Sequence, residues 1–116
     1  MKKIQTIKKK EEFTEIIKGR KYVGSADLTF YYRVKKEDDS RVGISVTTKL
    51  GNAVERNKAK RQLRAMIDDI FDWQESFDSV IVIKPSFKDK DFAANKKNLE
   101  SCYKKVKIDT VKGKGL

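Results

Sequence analysis

The stretch "RVGISVTTKLGNAVERNKAKRQLR" (41–64) changes its period half-way along. In its first ten residues Val42, Ile44 and Val46 are spaced by two, the pattern of a strand with one apolar face. Gly51 interrupts that pattern. Asn52 is a good helix N-cap, and Glu55, three residues on, makes a capping box with Asn in place of Ser or Thr. Beyond it Ala59, Leu63, Met66, Ile67 and Ile70 recur at steps of three and four, so the spacing predicts an amphipathic helix running to about Phe71.

Upstream, "ADLTFYYRV" (26–34) is rich in β-branched and aromatic residues and reads as a strand. "KKEDDS" (35–40) is a polar turn, so the strands on either side of it are expected to form an antiparallel hairpin. Phe13, Ile16 and Ile17 mark a short helix from Lys10 to Lys18, with Gly19 placed to end it, and a further short strand is expected near Tyr22–Val23. Downstream, "SVIVIK" (79–84) reads as a strand buried on both faces, closed by Pro85 and Ser86. "DFAANKKNLESCYKKV" (91–106) reads as a last helix, with Asp91 as N-cap and Phe92, Leu99, Cys102, Tyr103 and Val106 in its stripe. The order is α-β-β-β-α-β-α. The fold class is therefore α+β: a single domain over 1–116, with helices packed on a mainly antiparallel four-stranded sheet. Residues 1–9 and 107–116 are expected to be loosely ordered.

The chain has 116 residues, enough for one modest core. Its 28 Lys and Arg against 17 Asp and Glu give a net charge of +11, which points to a nucleic acid or an anionic surface as partner. There is no apolar run of 18 residues and no apolar stretch behind the N-terminal lysines, so a cytoplasmic protein is expected. Cys102 is the one cysteine, which excludes an intrachain disulfide and a cysteine-cluster zinc site; it reads as a helix core residue. Histidine is absent. That removes the usual general base, the usual metal ligand and the His-activated nucleophiles.

The helix that starts at Asn52 carries Arg56, Asn57, Lys58, Lys60, Arg61 and Arg64. At about 100° per residue, with Leu63 at the centre of the buried stripe, Lys60, Arg64, Asn57 and Arg61 follow Arg56 around an arc of about 100°. Lys58 falls on the far flank. Like charges four apart cost a few tenths of a kcal/mol each, and cations in the N-terminal half oppose the helix dipole. Both costs are small, and phosphates filling the face would reverse them. Arginine offers paired bonds to phosphate, and asparagine can bond a base edge or a ribose hydroxyl. The alternative is a lysine-rich solvated face. Such faces usually alternate sign, whereas no acid falls between Arg56 and Ile67.

"GISVTTKLGNAVERNKAKRQLR" (43–64) resembles the signature of the bacterial ribonuclease P protein subunit family. The family pattern is a strand ending in Ser/Thr-Lys-Lys, then Gly-x-Ala-Val-x-Arg-Asn-Arg-x-Lys-Arg-x-x-Arg. "EEFTEIIKGRKY" (11–22) and "LTFYYRV" (28–34) match the family's first helix and the strand after it, so the resemblance covers nearly the whole chain. Lys58 stands where the second arginine of Arg-Asn-Arg is usual, keeping the charge without the planar fork, and Thr48 stands where the first strand-end lysine is usual. The resemblance implies a protein that joins a catalytic RNA, its cofactor in effect. That RNA cleaves precursor tRNA at the mature 5′ end with Mg2+ held mainly by RNA. It implies RNA contacts from Lys49, Arg56, Asn57, Lys58, Lys60, Arg61 and Arg64. No catalytic residue and no metal ligand is implied in the protein, and no DNA, membrane or protein partner. It also implies a left-handed β-α-β crossover, against the general rule.

Single-stranded RNA binds where aromatic or apolar side chains meet a cationic track. Phe13 and Ile17 are four apart on the first helix, and Tyr31 lies in the following strand. By motif position these three match the family's cleft for the single-stranded 5′ leader, with Ile17 where a second Phe is common. Thr29 shares Tyr31's face by the strand period, while Phe30 and Tyr32 point the other way, to the core. The competing reading of Phe13 and Ile17 is that they fill the core. Three other functions compete with this one. A leucine-zipper DNA-binding region needs leucine heptads after its basic stretch, and "AMIDDIFDWQESFDS" (65–79) has none. A ribosomal or other RNA-binding module without a cleavage partner fits the composition but not the signature. A protein nuclease would need Asp68, Asp69, Asp72 and Glu75 as metal ligands, and these read more simply as a solvated helix end.

Overall fold

The computed structural model describes residues 1–2 and 5–114 of the chain. Helices α1 (Lys10–Lys18), α2 (Ala53–Ile70) and α3 (Phe92–Lys114) and strands β1 (Tyr22–Gly24), β2 (Leu28–Val34), β3 (Val42–Val46) and β4 (Phe77–Ile83) follow the expected order. Short 3-10 turns at Thr48–Leu50 and Pro85–Asp89 lead into α2 and α3.

The expected hairpin between the second and third strands does not form. The sheet order is β1-β2-β4-β3, with β4 inserted between β2 and β3. β2 pairs antiparallel with β1 and β4, while β3 pairs parallel with β4, so the sheet is mixed and, as expected, mainly antiparallel. The turn "KKEDDS" permits a reversal, but two other contacts decide where β3 goes. β4, apolar on both faces, is an interior strand and pairs along both of its edges. In addition, the segment before β3 is tied to the start of β4. Ser40 Oγ donates to Phe77 O at 2.7 Å, and Arg41 N donates to Asp78 Oδ1 at 3.1 Å. Asp78 is 1 % exposed and also accepts ion pairs from Lys35 Nζ (2.9 Å) and Arg41 Nη2 (2.8 Å).

One sheet face, with Leu28, Phe30, Tyr32, Val42, Ile81 and Ile83, packs on Leu63, Met66 and Ile67 of α2 and on Leu99, Cys102, Tyr103 and Val106 of α3. This is the main core. On the other face Val80 packs with Ile7 and with Ile16 of α1. α1 covers that face only in part.

α2 starts as its sequence requires. Asn52 Oδ1 accepts from Glu55 N at 2.9 Å, and Glu55 Oε1 accepts from Asn52 N at 3.3 Å. The Asn52 amide, and then Lys88 Nζ, hold the Glu55 carboxyl below its usual pKa. Gly51 sits at φ 156°, and a Cβ there would lie 2.5 Å from Glu55 Oε1, so the box needs a glycine before it. At the end of α1, Gly19 stays right-handed and Arg20 takes the left-handed turn at φ 58°. Asp91 caps α3, accepting from Ala94 N at 2.8 Å.

Ile7 is 2 % exposed and donates from its amide to Val42 O at 3.0 Å, extending the sheet beyond β3 through Thr6. α3 runs past Val106 because Thr110 is buried, bonding back to Val106 O at 2.9 Å, and because Asp109 accepts from the Tyr32 hydroxyl. Residues 3–4 and 115–116 lie outside the described residues.

The Asn52–Glu55 box carries a stability expectation. Asn52→Ala should lower the unfolding free energy by about 1 kcal/mol in a urea titration, and Asn52→Ser should recover most of it. Equal stability of all three proteins would show that the box does not hold the helix start.

Candidate nucleic-acid interface

The cations of α2 come out beside the outer edge of β3, which, among the described residues, only Thr6 and Ile7 touch at Val42. Lys60 and Arg64 line a shallow groove of about 230 Å³ with Ile7, Phe13, Val42 and Ile44. Arg56, Asn57 and Lys60 line a second, of about 220 Å³, with Val46 and Ala53. Lys60 belongs to both, so the two grooves adjoin. Arg61 is exposed further round the helix, and Lys49 is exposed in the 3-10 turn before it. Lys58 lies on the other flank of α2, with Glu55, Gln62, Lys88 and Phe92. The structure therefore brings Arg56, Asn57, Lys60 and Arg64 to one edge and separates Lys58 from them.

Among the described residues, seven lysines and arginines outside α2 are paired with the protein's own carboxylates. Arg33 is paired with Glu15 (2.8 Å), Arg41 with Glu12 (2.6 Å) and Asp78, and Lys35 with Asp39 (2.8 Å) and Asp78. Lys88, Lys90, Lys96 and Lys107 likewise have carboxylate partners, Glu55, Asp27, Asp69 and Glu75. Among the described residues, none of Arg56, Lys58, Lys60, Arg61 and Arg64 has one. Arg56 Nε is moreover buried without a hydrogen-bond partner, which costs about 1–3 kcal/mol unless an acceptor arrives.

The other half of the candidate interface follows from register. Tyr22, Tyr31, Val80 and Gly43 are directly opposed across the four strands and share one sheet face; Gly24, Thr29, Val82 and Ser45 form the next row. α1 lies over the first row. Ile16 packs on Val80, and the Phe13 ring sits on Gly43, where a Cβ would lie 2.5 Å from Phe13 Cζ. Phe13, Ile17 and Tyr31 are each half-buried, so none of them is a filled core position and none is free. Thr29 is 9 % exposed and belongs to the floor rather than a wall, with half-buried Val82 and Ser45 beside it. Phe30 and Tyr32 face the main core, as expected.

Four contributors escaped the sequence reading: Gly43, Ser45, Val82 and Tyr22. Two of them left a signal. Gly43 and Ser45 are the small residues that alternate with Val42, Ile44 and Val46, so one face of that strand is thick and the other thin. A thin face is where a helix or ligand can come close to the backbone.

The acids at the end of α2 do not converge. Asp68 accepts the Met1 amino group at 2.6 Å, Asp69 meets Lys96 at 3.2 Å, Asp72 Oδ1 accepts from Gln74 N at 3.0 Å, and Glu75 meets Lys107 at 3.6 Å. Among the described residues no group of three His, Cys, Asp or Glu is placed to hold a metal ion, and no helix is long and apolar enough to cross a membrane.

The family model described as Ribonuclease P matches residues 1–107. The chain belongs to the ribonuclease P protein family. It is 41% identical over 101 residues to the ribonuclease P protein component of Mesoplasma florum, covering 85% of this chain and 92% of that protein. It is 34% identical over 108 residues to that of Mycoplasmopsis pulmonis, covering 92% and 96%. The fold superposes on the RNase P protein of Staphylococcus aureus with a TM-score of 0.77 at 31% identity, over 90% of this chain and 96% of that one. For the Thermotoga maritima RNase P protein the TM-score is 0.71 at 26% identity, over 81% and 90%. As a ribonuclease P protein component, the chain works with an RNA partner in tRNA 5′ processing.

The unpaired cations make the interface testable by salt. Binding that neutralises about four to six phosphates should show log K falling with log salt at a slope of about −3 to −5. Lys60→Ala or Arg64→Ala should each weaken RNA binding and flatten that slope by about 0.7–0.9, with the melting temperature unchanged because neither side chain meets a carboxylate of the protein. A slope near zero in the parent protein would remove the electrostatic account of α2.

Proposed function

We propose that this ribonuclease P protein docks on the RNA subunit through the cationic edge of α2 and holds the single-stranded 5′ leader of precursor tRNA on the sheet face beside α1. The observation that carries this reading is the adjacency of two unlike surfaces. Unpaired Lys60 and Arg64 share a groove with Phe13, and Phe13, Ile17 and Tyr31 form the half-buried wall that continues from it across the sheet. A cationic track leading onto apolar and aromatic side chains suits a single strand, whose phosphates and base faces are both accessible. A duplex would offer its phosphates and little else.

The division of labour follows from what the side chains can do. Hydrolysis of the phosphodiester at the 5′ end falls to Mg2+ held mainly by the RNA. This chain has no histidine, and the carboxylates near the end of α2 are engaged separately. Arg56, Asn57, Lys60, Arg61 and Arg64, with Lys49 before them and Lys58 on the other flank, neutralise phosphates and so favour the compact fold of a large polyanion and its binding of cations. Phe13, Ile17, Thr29 and Tyr31 fix the position of the leader and thereby of the bond to be cut. The protein acts in the cytoplasm, with precursor tRNA as substrate and neither DNA nor a membrane as partner.

Purified protein alone should cut no RNA. With the catalytic RNA at low Mg2+ it should produce a single cut at the mature 5′ end of precursor tRNA. Specific 5′ processing by RNA-free protein would refute this division of labour. Tyr31→Ala should weaken binding of leader-bearing precursor by about 1–3 kcal/mol and leave mature tRNA binding nearly unchanged. Equal losses for both RNAs would assign Tyr31 to the RNA-subunit contact or to the core.

A further inference from the structure

Tyr22 is 59 % exposed, the most exposed aromatic side chain among the described residues. Its place in β1 does not require this, because any β-former could make the three-residue pairing with β2. The register sets Tyr22 directly opposite Tyr31, so both rings stand on the face that α1 covers in part. Their centroids are 5.6 Å apart and the planes tilt by 49°, an arrangement that leaves Tyr22 open to solvent. The turn before it is cationic: Lys18, Arg20 and Lys21 are exposed, and among the described residues none of them has a carboxylate partner. An open ring with free cations beside it, continuous with Tyr31, repeats on the outer strand what Phe13 and Lys60 provide at the other end of the sheet.

We propose that Tyr22 is a second stacking position for the 5′ leader, taking one base beyond those held at Tyr31. This rests on the reading of the α1 face as the leader groove. With the RNA subunit docked on α2, as proposed above, the bond that it cuts lies on that side too, beyond β3. The leader then crosses β3, β4 and β2 before reaching β1, three strand spacings or about 14 Å from the β3 edge. Tyr22 therefore meets a nucleotide further from the cut than Tyr31 does. Every base has a stacking face, so the position tolerates any base, and the hydroxyl is not needed.

The test uses the reconstituted holoenzyme and precursor tRNAs whose leaders are lengthened one nucleotide at a time. Tyr31→Ala should lose affinity from short leaders onward. Tyr22→Ala should match the parent protein on short leaders and lose about fivefold or more only once the leader is long enough to reach β1. Tyr22→Phe should stay within about twofold of the parent at every length. Tyr22→Thr, which keeps a β-former in the strand, should lose as much as Tyr22→Ala, so that a folding defect cannot imitate the result. Tyr22 variants that bind all leaders like the parent would overturn the proposal. So would a loss that is the same for mature tRNA and for every leader length. If Tyr31→Ala is leader-dependent while Tyr22→Ala is silent, only this inference fails; if neither depends on the leader, the groove itself has been misassigned.

Discussion

Strand β4 makes ladder hydrogen bonds along both edges, antiparallel to β2 and parallel to β3. A parallel pair cannot be closed by a tight turn and needs a long crossover, which here contains α2. Because Leu63, Met66 and Ile67 of α2 face the main core, the adjoining flank of that helix, with Arg56, Lys60 and Arg64, emerges along the outer edge of β3. Had β3 paired with β2 as a hairpin, the cations of α2 would have had no fixed relation to the α1 face. Asp78 secures the arrangement at the start of β4. It is almost fully buried and is held by Lys35, by the Arg41 guanidinium and by the Arg41 amide. Removing one partner of a buried pair typically costs about 3–5 kcal/mol, because the remaining charge is stranded.

The distribution of charge separates structure from recognition. Arg33, Lys35, Arg41, Lys88, Lys90, Lys96 and Lys107 are spent on the protein's own carboxylates, several of them at 2.6–2.9 Å. Glu12 and Glu15 on α1 would otherwise repel a polyanion entering beside that helix; Arg41 and Arg33 neutralise them. The cations of α2 are left unmatched, at a cost of only a few tenths of a kcal/mol per like-charge pair. Asp27 shows the opposite use. Burial alone would raise its pKa, but bonds from Lys90, Ser86 and Asn98 more than offset that and leave it below its ordinary value of 3.8. Its contribution to stability is complete at neutral pH and is lost only as pH falls through that lowered value.

Most elements were legible because their signals are local. The Asn52–Glu55 box, the three-four spacing of α2 and the alternation of Thr29 and Tyr31 with Phe30 and Tyr32 each depend on a few neighbouring residues, and each stands as read. Strand order was not legible, since "KKEDDS" suits a hairpin as well as it suits the loop that passes over Asp78. The continuous apolar run of β4 announced a central strand without saying which strands flank it. The anchors near the C-terminal end were not legible either: lysines and glycines dominate 107–116, while Thr110 under the main core and Asp109 on Tyr32 hold the helix as far as residue 110. For the candidate interface, helix periodicity put the cations on one face, motif position singled out Phe13, Ile17 and Tyr31, and the strand period added Thr29. Val82 and Tyr22 needed the register, and Gly43 needed the ring of Phe13 above it.

The central claim is that the leader lies on the α1 face of the sheet, over Ser45, and not on the α3 side. A photo-crosslinker attached at Ser45→Cys in the reconstituted holoenzyme, with Ser101→Cys on the exposed side of α3 as its counterpart, tests this directly. The native Cys102 is buried, and burial pushes its thiol pKa up, so labelling goes to the introduced residue. The account predicts crosslinks from position 45 to leader nucleotides of bound precursor tRNA and none to the leader from position 101. Leader crosslinks from position 101, or none from position 45 in a complex that binds precursor normally, would contradict it.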